Sequence, residues 1–347
     1  MRWIRWNCGI RTLPVALLAC AIAAPAAGQE TTPAMLAAAA KEGKVVWYSS
    51  IDVKVAELIA KAFRADYPNI QIEVERSGSE RVFQRINQEY QSGIKNVDVV
   101  NSSDASHFIY WKQQKWLAAH TPPDVKRYPA QFKDAEGYYA AWRATLSVMG
   151  YNTTLVPAKD APTGYLDLLD PKWKGKLVKS HPGYSGTSLT GTYAIVKALG
   201  WDYLEKLSKQ GVQQLQSTTA TPKSIASGER AAMVDGNEYN MFIEIDAKSP
   251  VAIIYPNEGT PFVTSPTAIF ADAPHPNAAR VLQNFLYTAK IQQLAVNEGG
   301  TRSLHPDVKD PPGRTPLAQI KILPDDPATM LPLVADIKKR YTALFGN

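Results

Sequence analysis

The sequence predicts an α/β protein of two lobes joined by two crossover strands, and three observations carry that prediction. Over residues 44–103, β-rich apolar runs alternate with amphipathic helical segments, the pattern of a largely parallel sheet covered by helices. A second block of the same kind occupies residues 163–240. Two long β-rich segments, "YYAAWRATLSVMGYNT" at 138–153 and "VAIIYPNEGTPFVTSPTAIF" at 251–270, flank that second block. A chain with this order crosses to a second lobe and returns, so the lobes are expected at 29–145 with 266–347, and at 146–265.

The first 28 residues are expected to lie outside the fold. Arg2, Arg5 and Arg11 form a basic start, "LPVALLACAIAA" is an apolar run too short to span a bilayer, and Ala26 and Gly28 supply a small-residue exit. This is the pattern of a signal peptide cut after about Gly28, which predicts export. "LLAC" also fits a lipid-modified variant at Cys20, but the apolar run continues past that cysteine into an ordinary site. Cys8 and Cys20 are the only cysteines, so the exported chain has no disulfide, thiolate nucleophile or cysteine metal site. Losing the three arginines takes the formal charge from +6 to +3. No basic tract points to nucleic acid, and no second long apolar run points to a membrane. With 45% hydrophobic residues, two domains can each bury a core.

The elements follow in order. After a short helical lead at 33–43, "KVVWYSS" at 44–50 is a buried strand. "VKVAELIAKAFRADYP" at 53–68 repeats its apolar residues at helical spacing until Pro68 stops it. "IQIEVER" alternates as a strand, Ser77 and Ser79 can cap "ERVFQRINQEYQSG", and "VDVVNSS" at 97–103 is another buried strand. In such sheets the ligand lies beyond the carboxyl ends of the strands, where Ser49, Ser50, Ser79 and Ser103 are placed. Each offers a hydroxyl to an oxyanion, and each has ordinary turn or cap chemistry as its alternative. The tail at 332–346 reads as an amphipathic helix.

The second block contains "SHPGYSGTSLTG" at 180–191, which has two readings. As a nucleophile elbow, G-x-S-x-G, it would make Ser185 the nucleophile of a secreted hydrolase, but Thr187 stands where the last glycine belongs. His181 is nearby in a loop context. As an anion cradle it needs only what is present. Gly183 and Gly186 permit close backbone approach, Ser185 and Thr187 add hydroxyls, Tyr184 can stack, and a helix from about Ser188 points its N-terminus at the site. Simple capping of that helix is the plainer alternative. Arg143 lies on the first crossover, where it can clamp an anion or join a hinge ion pair. Trp142 beside it can stack on a planar ligand, but is expected first to pack between the lobes. Glu238 would repel an anion unless it points away or meets a cation.

Several stretches carry a family resemblance: "VVWYSS" at 45–50, "NVDVVNSSDAS" at 96–106, "YLDLLDPKWKGKLV" at 165–178, "SGERAAMVDGNEYN" at 227–240, "NEGTP" at 257–261 and "HPNAARVLQNFLYT" at 275–288. In these the chain resembles the extracellular solute-binding proteins of bacterial ABC importers, near the ferric-iron-binding branch. The resemblance implies a two-lobe, type II periplasmic-binding-protein fold with two crossover hinge strands. It also implies a monomer without cofactor or catalysis, which passes a small anionic solute to an inner-membrane ABC permease. The branch holds iron with a His, a Glu and adjacent tyrosines beside a partner anion. Carried over, the tyrosine pair falls on Tyr239 and Asn240, the histidine position near Ile51 and Asp52, and the glutamate on Glu89. A ferric site would therefore draw on Asp52, Glu89 and Tyr239. The anion half matches better, on Ser185, Gly186, Thr187 and Asn237. The ligand implied is thus an organic carboxylate or a phosphate or phosphonate, with ferric iron as the alternative.

Overall fold

The computed structural model describes residues 30–346. The expected signal segment, with both cysteines, lies outside the described residues. The chain begins with α1 (Pro33–Glu42), β1 (Lys44–Ser49), α2 (Val53–Asp66), β2 (Gln71–Arg76), α3 (Ser79–Gln91), β3 (Val99–Asn101), α4 (Ala105–Gln113) and β4 (Leu117–Ala118). β1 pairs in parallel with both β2 and β3, and such a strand must be apolar on both faces. The Asp52 carboxylate accepts the Lys54 N–H to start α2, whose buried stripe is Val55, Ala56, Ile59, Ala60 and Phe63. α3 starts one residue earlier than a Ser79 cap would place it. Gly78 is its cap, and Ser79 is already inside the helix.

β5 (Ala140–Asn152) is buried along all 13 residues. The second block follows as β6 (Leu177–Ser180), α5 (Gly186–Leu199), α6 (Trp201–Ser208), β7 (Gln213–Leu215), α7 (Thr221–Ala226), β8 (Ala232–Asn237), α8 (Glu238–Asp246) and β9 (Val251–Ile254). β10 (Thr260–Phe270), α9 (Pro276–Tyr287), α10 (Ala289–Asn297), β11 (Ile322–Leu323), α11 (Pro327–Met330) and α12 (Val334–Phe345) complete the chain. The strand order is β2-β1-β3-β10-β5-β8-β6-β7. β5 changes partners along its length: Leu146 and the residues before it pair with β10, and Ser147 onward with β8. β10 likewise pairs with β5 and then, from Thr267, with β3. These two strands therefore carry the chain between the two halves of the sheet.

Each half has its own apolar interior. Trp47, Phe63, Trp142, Phe285 and Leu286 lie in one cluster on the first half, with Tyr48, Ile86, Phe108 and Phe270 in another. Met149, Tyr165, Trp173, Leu204 and Val234 pack on the second half. The end of the chain departs from the assignment of 266–347 to the first lobe. α12 rests on α5 and α6, and its Tyr341 belongs to the second-half cluster. The cause is an apolar stripe at fourfold spacing, Ile337, Tyr341 and Phe345, which needs the surface those helices offer.

Candidate functional site

Both halves present strand ends and helix starts to one small internal cavity of about 10 Å³, the space of roughly one water. The first wall is Ser50 beyond β1, Arg76 at the end of β2, Gly78 and Ser79 at the start of α3, and Ser103 beyond β3. Arg143 enters from the crossover strand. The second wall is Tyr184, Ser185 and Thr187 around the start of α5, the Ser217–Thr218–Thr219 turn, and Asn237 and Tyr239 around the start of α8. Three helices thus direct their N-termini at one point, and neither α3 nor α8 has a side-chain cap. Free N–H groups and helix dipoles make such a point favourable for negative charge.

The side-chain charges agree. The lining includes two arginines and no carboxylate. Arg143 is 2% exposed, donates to the Thr145 hydroxyl, and has no hydrogen-bond partner at Nε among the described residues. Burial lowers its pKa, and the neighbouring Tyr239 only partly opposes this. Arg76 donates from Nε to the Ile51 carbonyl at 2.9 Å. The Ser103 N–H donates to Ser50 Oγ at 3.1 Å, fixing two strand ends together. Asn237 donates to Asn240 Oδ1 at 3.0 Å and leaves its own Oδ1 without a partner among the described residues.

Some expected residues lie elsewhere. Ser49 Oγ turns back to accept the Ile51 N–H at 3.3 Å, because successive strand residues face opposite ways and Ser50 takes the cavity side. Gly183 donates to His181 Nδ1 at 2.9 Å, behind the lining. Gly186 is at the seam, its N–H donating to Ser79 Oγ at 2.5 Å. Arg76 and the 217–219 turn escaped the sequence reading. Arg76 ends a parallel strand and the turn follows one, so the rule that placed Ser50 and Ser103 would have found them.

Ser185 accepts the Ser188 N–H at 3.4 Å and bonds with the Thr218 hydroxyl at 3.1 Å. The nearby His181 is bound to the Gly346 carbonyl at 3.1 Å and accepts the Gly183 N–H at 2.9 Å, so both its ring nitrogens are engaged away from Ser185. Of the ferric donors, Tyr239 and Asp52 meet, while Glu89 is engaged elsewhere. Tyr239 lines the cavity and accepts the Asp52 N–H at 3.2 Å, with burial pushing its phenol up. The Asp52 carboxylate is committed to the Lys54 N–H and the Asn240 amide, and Glu89 to the Tyr48 hydroxyl and Arg85. Glu238 points away and is neutralised by Arg302 at 2.7 Å. Trp142 is buried in the first-half core.

One group of metal-capable side chains occurs among the described residues, Glu80, Asp104 and His107, with ligand atoms within 4.8 Å of one another. Burial raises the Glu80 carboxyl, but His107 and Lys338 outweigh it and hold it low. Burial lowers the His107 imidazole, and Asp104 and Glu80 reverse that and raise it. The group is thus internally paired.

The model of the bacterial extracellular solute-binding protein family matches residues 95–316. An uncharacterised protein of Haemophilus influenzae is 24% identical over 74% of this chain and 77% of its own length. A probable ABC transporter periplasmic-binding protein, y4fP of Sinorhizobium fredii, is 25% identical over 57% of this chain and 60% of its own. Among solved structures, the periplasmic binding protein AfuA of Actinobacillus pleuropneumoniae, with exogenous fructose-6-phosphate bound, aligns at a TM-score of 0.80 and 20% identity over 87% of this chain and 98% of that one. Iron-bound HitA of Pseudomonas aeruginosa aligns at 0.73 and 20% identity over 86% and 99%. The fold is the type II periplasmic-binding-protein fold, and no helix among the described residues is long and apolar enough to cross a membrane. With its two half-sheets, its two crossover strands and a polar cavity where they meet, this chain belongs to the bacterial extracellular solute-binding protein family.

Proposed function

We propose that this protein captures a small anionic solute between its lobes, a phosphate-bearing one in preference to a carboxylate, and delivers it to an inner-membrane ABC permease. The observation that carries the reading is Arg143, a buried guanidinium without a carboxylate partner among the described residues, set with Arg76 among three helix N-termini. A buried charge this poorly compensated costs stability unless a ligand completes it. Two guanidinium groups suit a dianion, and bidentate geometry suits phosphate oxygens. The lobes are taken to divide near 145/146 and 265/266, a reading supported by the exchange of β5 partners at Leu146 and Ser147. Closure then couples to binding because each lobe supplies part of the donor set. The protein works in the periplasm as a monomer, exported by a signal cut after about Gly28, and performs no chemistry on the solute.

Calorimetric titration with inorganic phosphate and with fructose-6-phosphate tests the reading. Binding by the wild type, weakened about a hundredfold or more in Arg143→Gln, supports it. Equal affinity in the two proteins would sink it. Tyr239 in the lining favours ferric iron as the second reading. That one requires a visible phenolate-to-iron band that disappears in Tyr239→Phe.

A further inference from the structure

The first turn of α3 meets the opposite lobe through three consecutive side chains. Ser79 Oγ accepts the Gly186 N–H, Glu80 Oε2 accepts from Lys338 Nζ at 2.5 Å, and Arg81 donates to Gln216 while lying over the Tyr184 ring. α3 is anchored in the first half, where Val82, Ile86 and Tyr90 pack with Val46, Tyr48 and Val100. All three partners move with the second half. Gly186 opens α5, Gln216 follows β7, and Lys338 rides on α12, whose Ile337 packs with Leu189 and Tyr193 of α5. Each of the three contacts therefore breaks when the lobes part.

Only one of them is an ion pair, and its acid is fixed from behind. Glu80 is 1% exposed, with His107 Nε2 at 3.2 Å from its other oxygen. His107 is in turn 3.4 Å from Asp104, bonded to the Ser102 hydroxyl at 3.0 Å and stacked on Phe83. Glu80 thus receives His107 on one oxygen and Lys338 on the other. Of these two cations, Lys338 is the one that arrives from the other lobe. We propose that the Glu80–Lys338 pair is the clasp of the closed state, so that the C-terminal helix sets the balance between open and closed lobes and positions the two walls of the site. The proposal rests on the two-lobe capture reading, but not on the choice of solute.

The exported chain has no cysteine, since Cys8 and Cys20 both precede residue 29, so paired labels can be introduced without background. Spin labels at Glu57→Cys on α2 and Glu205→Cys on α6 report lobe separation by electron–electron dipolar spectroscopy, with and without inorganic phosphate. Lys338→Gln is expected to lower the closed-to-open ratio by roughly fivefold or more in the absence of phosphate, and Lys338→Arg to restore most of it. A ratio unchanged by Lys338→Gln overturns the clasp, as does a single identical distance in both proteins. Phosphate serves as a separate arm. If it fails to shift the wild type while Lys338→Gln still does, the clasp stands and the anion reading falls.

Discussion

In the proposed capture of an anion, Arg143 is the residue on which the site turns, because a buried guanidinium suits an incoming anion better than it suits stability. A guanidinium at 2% exposure, without a carboxylate partner among the described residues, carries a desolvation penalty of about several kcal/mol. Arg143→Gln is therefore expected to raise the Tm of the solute-free protein by a few degrees while abolishing solute capture. Differential scanning calorimetry beside the binding titration checks both halves, and a lowered Tm would mean that Arg143 serves the hinge instead. Arg143 was legible because it sat on a predicted crossover strand. Arg76 was not singled out, because "IQIEVER" alternates charges along a half-exposed strand and nothing local marks its last one. Ser49 and Ser50 show the finer limit: adjacent strand residues are equivalent in composition, and only the pleat decides which one faces the cavity.

At the scale of elements, the start of α5 is where sequence and structure inform each other most. The glycine-rich run predicted a helix N-terminus, and α5 begins there with Ser185 as its cap. Less legible was the reason for Gly186. A Cβ on it would meet Asp104 Cβ at 2.7 Å, Ser79 Oγ at 2.9 Å and the Ser103 carbonyl at 3.0 Å, all on the other lobe. The glycine lets the lobes touch; it is not a left-handed turn position, for its φ is not positive. Gly186→Ala is accordingly expected to leave folding intact, since alanine suits a first helical turn, while preventing full closure. Small-angle scattering with saturating solute checks this, with a larger radius of gyration in the variant as the expected result. The placement of α12 was the least legible element. An amphipathic stripe says that a helix packs but not on which surface, and that choice is tertiary.

For the molecule as a whole, the alternation of strands and helices and the two long crossovers foretold the architecture, because buried parallel strands leave a continuous apolar signature. Acid sensitivity should follow from His120, bonded to Asn284 of α9 at 2.8 Å. Burial holds its imidazole down at about 4, against 6.5 ordinarily. The unfolded chain therefore takes up a proton first as pH falls. The stabilisation is complete above about pH 6.5 and is lost progressively toward pH 4, by about 3 kcal/mol in total. Urea melts at stepped pH, with His120→Gln expected to flatten the slope over that window, check the sign. The central claim, that two lobes of this protein close on an anion held by Arg143, is tested most directly by native mass spectrometry of the protein as purified from the periplasm. The expected spectrum shows one bound phosphate-bearing solute on the wild type and none on Arg143→Gln. A wild-type mass excess matching iron, or an anion retained undiminished by Arg143→Gln, would contradict it.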